Sequence, residues 1–355
     1  MGSLIRLPFE NQVRFLEKRL EMEQLLAEQE VVEHKHLAVS EISPEETIPD
    51  INVGTHFFKQ RYLFAFATQG EVINHLRTQT LNEEVNKTPD ILLKWQEQQP
   101  RVQQFALAER GIADSSSPEE LPLECAATLE GIAGHALFRK TFMHLPFSFA
   151  LVEIDKLVAP QRSVNLDYVE RLQVAFRDKT SLSELIGICL SPVREMPPIQ
   201  HLEVANNTHM FSSPNTDLRF LGAFFKKLRP EDLQFAELGG IPAAAIITFI
   251  GYGGAPVNVF RWENRLVLNN GFHRLFALRS LGVTSVPVVV QHVQNIQLEF
   301  PSSVGGLPRE YLLGVARPVL MKDFFEDGFC VTLNAKRRVR GISVQAAVGQ
   351  FDVPS

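Results

Sequence analysis

Val13, Leu16, Leu20 and Leu25 recur at spacings of three to five with charges between them, a pattern that predicts one helix over residues 9–35. Its apolar stripe is narrow, so the helix either docks on its own chain or pairs with a partner helix. Pro44 and Pro49, among acidic and small polar residues, make 38–56 a linker. Residues 57–110 read as helical again, opening on the apolar run that starts at Phe58. Thr88-Pro89-Asp90 suits a fresh helix start, with Thr88 as the cap and proline in the first turn. Asp114–Glu119 is a loop, and Leu121–Phe142 continues helically with breaks at Gly131 and Gly134. The expected organisation to this point is an amphipathic N-terminal helix, 1–37, and an α-helical region, 38–145.

The pattern changes at Pro146. Phe147–Ile154 is a short apolar run rich in β-formers and predicts a strand. Asp155–Pro160 reads as a turn, and Asn165 caps a helix over 166–177. Residues 178–235 form an enlarged middle segment: a proline-rich stretch (Pro192, Pro197, Pro198), a polar loop over 206–215 that separates His201 from His209, and a helix over 217–228. From Ala243 the pattern predicts strand 243–250, a glycine-rich hairpin turn at 251–254, and strands 257–262 and 265–269. A helix over 272–281 and a strand over 286–291 complete it. The class expected for 146–292 is therefore α/β in the α+β sense, a mixed sheet with helices. Residues 293–355 are a C-terminal extension with a helix near 309–314 and β-formers between Arg317 and Val344.

Composition narrows the function classes. The 355 residues are 45% hydrophobic and 21% charged, ordinary for a globular chain. Residues 1–50 carry five Lys/Arg against eleven Asp/Glu, which accounts for the whole net charge of −6. The remainder is neutral overall, so nucleic acid is not an expected partner. The cluster Lys336-Arg337-Arg338-Val339-Arg340 reads as a solvated face or as a polyanion contact. Cys125, Cys189 and Cys330 are odd in number, far apart and without a CxxC pair, so they read as buried thiols in a reducing cytosol. Glu10, Glu17 and Glu21 interrupt any secretory pattern, and the apolar stretch 241–259 is broken by prolines and glycines. A cytoplasmic protein with no membrane span is expected.

The candidate chemistry lies at Asn270-Gly271-Phe272-His273-Arg274-Leu275-Phe276-Ala277. A strand ends at Asn270, Gly271 permits positive φ, and a helix starts at once. The first turn of that helix offers unpaired N–H groups at the positive end of the macrodipole. Arg274 in that turn opposes the dipole, and an anion accepting from both would resolve the conflict. The competing reading is a tight structural turn in which Arg274 pairs with an acidic residue.

The segment LVLNNGFHRLFALRSLGVTSVPVVVQ, residues 266–291, resembles the ParB/sulfiredoxin superfamily. The match rests on a strand, Gly-x-His/Arg-Arg-x-x-Ala on a helix, Leu-Gly-Val, and a Val-Pro-Val strand. Val152–Val158 and Val164–Leu172 look like the family's opening strand and first helix, so the resemblance covers roughly 147–291. It implies a ParB/sulfiredoxin-like fold that binds nucleotide phosphates through Gly271, His273 and Arg274, with Asn270 at the edge. The ligand implied is a nucleotide or another phosphorylated molecule, with Mg²⁺ as an allowed companion and no side-chain metal site. If a reaction is catalysed, phosphoryl transfer or nucleotide hydrolysis is the class implied, with His273 and Arg274 as candidate catalytic residues. The sequence also departs from the family. Phe272 stands where sulfiredoxins carry the catalytic cysteine, which removes the thiolate chemistry. No helix-turn-helix pattern follows residue 291, which disfavours partition-type DNA binding. Gln161 stands near the position where the free-serine kinases of this fold carry a glutamate. The rival reading is a non-enzymatic interaction protein that binds a partner, or a second copy, through the N-terminal helix and the 178–235 expansion.

Overall fold

A computed structural model describes residues 56–204, 208–215, 217–229 and 243–346. The helix expected over 9–35 lies outside them. In chain order, strand β1 is Phe57–Tyr62, followed by helices α1 Gln69–Gln79, α2 Thr88–Ala108, α3 Ala126–Gly134 and α4 Ala136–Thr141. Then come β2 Phe147–Glu153, β3 Ser163–Asn165, α5 Leu166–Phe176, α6 Leu182–Leu190, β4 Gln200–Val204, β5 Thr208–Ser213, β6 Leu218–Lys227 and β7 Ala244–Tyr252. The remainder comprises β8 Asn258–Trp262, β9 Arg265–Asn270, α7 Phe272–Ser280, β10 Ser285–His292, α8 Arg309–Gly314, β11 Val331–Lys336 and β12 Arg340–Gln345. The chain is thus of mixed α+β class.

Local chemistry explains several of the boundaries. Thr68 and Glu71 form a reciprocal capping box at α1, and Ser181 with Glu184 does the same at α6. The Asn165 side chain accepts from the Tyr168 N–H and starts α5, as its position predicts. Thr88 does not cap α2: its hydroxyl donates to the Val85 carbonyl, and Lys87 occupies the capping position.

The central sheet runs β2-β10-β8-β9, with β10 parallel to β8 and the other pairs antiparallel. Val286, Val288, Val289 and Val290 of β10 are all fully buried, as expected for a strand covered on both faces. One core cluster joins these valines to Leu185, Ile186 and Leu190 of α6 and to Leu275 and Leu278 of α7. A second sheet runs β11-β1-β3, all antiparallel. It draws on the regions expected as helical, as central domain and as C-terminal extension. All the described residues fall within one contact unit.

Four expectations are corrected. Residues 57–62 form a strand where a helix was expected, because Gln60 and Tyr62 alternate inward and β3 and β11 flank both edges. Short apolar runs rich in Phe and Tyr fit either period, and tertiary pairing decides between them. Residues 218–227 are also a strand, paired with 244–252. Phe220, Phe224 and Phe225 favour a pleated surface, and Gly222 inside the segment disfavours helix. The glycine-rich turn at 251–254 is no hairpin, because β7 belongs to a two-stranded ribbon and β8 to the central sheet. His201 and His209 likewise lie on the paired strands β4 and β5, with their rings hydrogen-bonded Nε2 to Nδ1 at 3.1 Å.

Candidate functional site

Gly271 sits between β9 and α7 with φ +103°, a conformation that side chains rarely adopt. A Cβ there would also lie 2.7 Å from Val257 Cγ2. No side chain caps α7, so its first-turn N–H groups, at the positive end of the helix, have no side-chain acceptor from the capping position.

The neighbouring residues fasten this turn to the loop before β8. Asn270 Nδ2 donates to the Gly254 carbonyl at 2.7 Å. The Arg274 guanidinium turns inward, with Nη2 donating to Ala255 O at 2.5 Å and Nη1 to Ile188 O at 3.1 Å. Ile188 lies in the last turn of α6, so the guanidinium meets the negative end of that helix. His273 binds in the other direction. Its Nε2 accepts from the Asn165 backbone N–H at 3.2 Å, which assigns the ring proton to Nδ1. Its ring also makes an edge contact with Tyr168 at 5.4 Å. The amino-terminal ends of α5 and α7 therefore meet across His273.

The electrostatics of the turn are one-sided. Three arginines are buried among the described residues: Arg265, Arg274 and Arg317. Arg265 pairs with Asp114, and Arg317 pairs with Asp323 and Glu109. Arg274 has no carboxylate partner among the described residues and relies on two carbonyls. Burial pushes its guanidinium down to about 10, nearby Cys189 offsets part of this, and the like charge of Arg194 lowers it further. It stays fully charged at neutral pH. Burial, with Arg194 again contributing, pushes the His273 imidazole down to about 4, so the ring is neutral at pH 7. The Cys189 thiol beside Arg274 is fully buried and pushed up to about 12, which leaves it unreactive.

Asn270, Gly271, His273 and Arg274, the four residues singled out from the sequence, are consecutive to within one position and share this turn. Sequence reading missed Tyr168, Arg194, Val257 and the carbonyls of Ile188 and Ala255. Asn165 was legible only as a helix cap, and Arg194 was hidden in a proline-rich stretch. The carbonyls leave no side-chain signal at all. Among the described residues, no group of three or more His, Cys, Asp or Glu side chains is arranged to share a metal ion, and no helix is long and apolar enough to cross a membrane.

No family model, curated protein or solved structure matches the chain.

Proposed function

We propose that this chain is a ParB/sulfiredoxin-like protein that binds a nucleotide or another phosphorylated ligand at the turn formed by Asn270, Gly271, His273 and Arg274. The observation that carries this reading is the buried Arg274 guanidinium, which lacks a carboxylate partner among the described residues and feels the further charge of Arg194. The uncapped start of α7 adds donors of the same sign. The order strand 147–153, helix 166–176, strand 265–270, turn, helix 272–280 and strand 285–292 agrees with the family resemblance. The geometry favours binding over catalysis. The His273 Nε2 lone pair is already taken by the Asn165 N–H, and the thiol beside Arg274 is inert. Among the described residues no group of three or more His, Cys, Asp or Glu side chains is arranged to share a metal ion, so Mg²⁺ would arrive on the phosphates of the ligand. The rival reading of a non-enzymatic interaction protein is favoured by a separate observation, the exposed ribbon β6–β7.

Calorimetric titration of the full chain with phosphate, pyrophosphate, ATP, GTP and CTP, with and without Mg²⁺, tests the proposal. A polyphosphate is expected to bind, and Arg194→Ala, at an exposed position, is expected to weaken it roughly tenfold, the scale of one charge-assisted contact. Arg274→Ala is expected to abolish binding. If no ligand binds wild type, or if Arg194→Ala binds equally tightly, the proposal fails.

A further inference from the structure

Strands β4 and β5 pair antiparallel, and β12 covers the other edge of β5. Residues directly opposite each other in such a ladder share a face, and so do residues two apart along one strand. The register sets His201 opposite Phe211 and Glu203 opposite His209, so these four lie on one face. β4 is an edge strand, and His201 and Glu203 are both exposed on it. Phe211 stacks against the His201 ring at 4.9 Å and restrains its plane. His201 Nε2 lies 3.1 Å from His209 Nδ1, and the two rings are within 21° of parallel. The contact joins two like groups. A neutral imidazole has one N–H and one lone pair, so a single proton bridges the two nitrogens. In contact with water, such a bond contributes little to the fold.

We propose that His201 and His209 form a clip for one divalent transition-metal ion of the zinc and copper class, which replaces the bridging proton and releases it to solvent. Imidazole is a favoured ligand of these ions, whereas Ca²⁺ and Mg²⁺ require oxygen. With metal–nitrogen distances of about 2.0–2.1 Å, nitrogens 3.1 Å apart set a nitrogen–metal–nitrogen angle of roughly 100°. That angle lies between the square and the tetrahedral values, so neither strand has to move. Only the rings must tilt, and His201, exposed on an edge strand, has room to do so. Glu203 brings a negative charge to the same face, and water completes the shell. A clip of two protein ligands accords with the absence, among the described residues, of a three-ligand cluster. Structural zinc takes four protein ligands, so the open shell here suits an ion that exchanges with solvent. The inference is independent of the phosphate site.

Titration of the full, untagged chain with Cu²⁺, read by electron paramagnetic resonance, tests it, with Zn²⁺ calorimetry alongside. Wild type is expected to show copper coupled to two imidazole nitrogens. His201→Ala and His209→Ala are each expected to remove that pattern and to weaken Zn²⁺ binding at least roughly tenfold, the least that loss of an outer partner costs a metal site. Circular dichroism is expected to stay unchanged in both. His34 and His36 are a second pair of imidazoles, two apart in the sequence. The variant His34→Ala/His36→Ala is expected to keep the two-nitrogen pattern. A wild type that binds neither ion overturns the proposal. So does a pattern that survives in both single variants, or one that disappears with His34 and His36.

Discussion

His273 is expected to make the protein acid-sensitive, and the size of the effect follows from its surroundings. The ring is held neutral at about 4 against an ordinary value of 6.5, chiefly by burial. The unfolded chain takes up a proton below 6.5, and the folded chain does so only near 4. The stability associated with the neutral ring is therefore complete above 6.5 and is lost as pH falls through that window. From about pH 7.5 to about pH 5 the loss is roughly 2 kcal/mol, at 1.36 kcal/mol per unit over the part below 6.5. His75 adds a loss of the same sign and size. It stacks on Tyr62 at 3.8 Å, donates from Nε2 to Gln60 Oε1 at 2.8 Å, and is also pushed down to about 4 by burial. Wild type is thus expected to lose roughly 4 kcal/mol from the two rings, and His273→Gln roughly 2. Glutamine keeps an oxygen that can accept from the Asn165 N–H and does not titrate. Urea unfolding midpoints and slopes at the two pH values measure the difference. Carboxylates held low by their partners, such as Glu109 beside Lys322 and Arg317, lose stability equally in both proteins and cancel. Equal acid loss in wild type and His273→Gln would refute the reasoning.

The turn and the buried ion network give two further expectations. Gly271→Ala combines a left-handed backbone with a Cβ 2.7 Å from Val257 Cγ2, so it is expected to cost about 1–3 kcal/mol in urea unfolding. An unchanged midpoint would contradict the described turn. Arg317→Met strands the fully buried Asp323 and is expected to cost about 3–5 kcal/mol, much of it recovered in Arg317→Met/Asp323→Leu. No recovery in the double variant would show that Arg317 acts chiefly through Glu109, its other carboxylate partner.

The elements legible in the sequence are those with a local signature. Strands 258–262 and 265–270, helix 272–280 and strand 285–292 fall within two residues of the expected bounds, because glycine, cap and period agree there. Asn165 announced α5 through a side chain that bonds three residues ahead. What was illegible depends on distant partners. Phe57–Tyr62 is a strand because Val331–Lys336 and Ser163–Asn165 lie beside it, and no local pattern contains that fact. Leu218–Lys227 carries enough apolar residues to suit a helix, and only its pairing with Ala244–Tyr252 fixes the pleat. At the site, the positive φ of Gly271 was readable from the residue type. The inward turn of Arg274 was not, because its acceptors are carbonyls of Ile188 and Ala255.

The position of β1 between β11 and β3 also dictates when this protein can finish folding. Tyr62 must wait for Val331, roughly 270 residues further along the chain. At 5–20 residues per second a ribosome takes roughly 13–54 s to cover that interval. Throughout it one edge of β1 has no strand to pair with, and Leu333, which shares a core cluster with Tyr62, has not yet been made. A nascent chain of this kind depends on shielding during synthesis, and slower translation lengthens the time for which its first strand stands open.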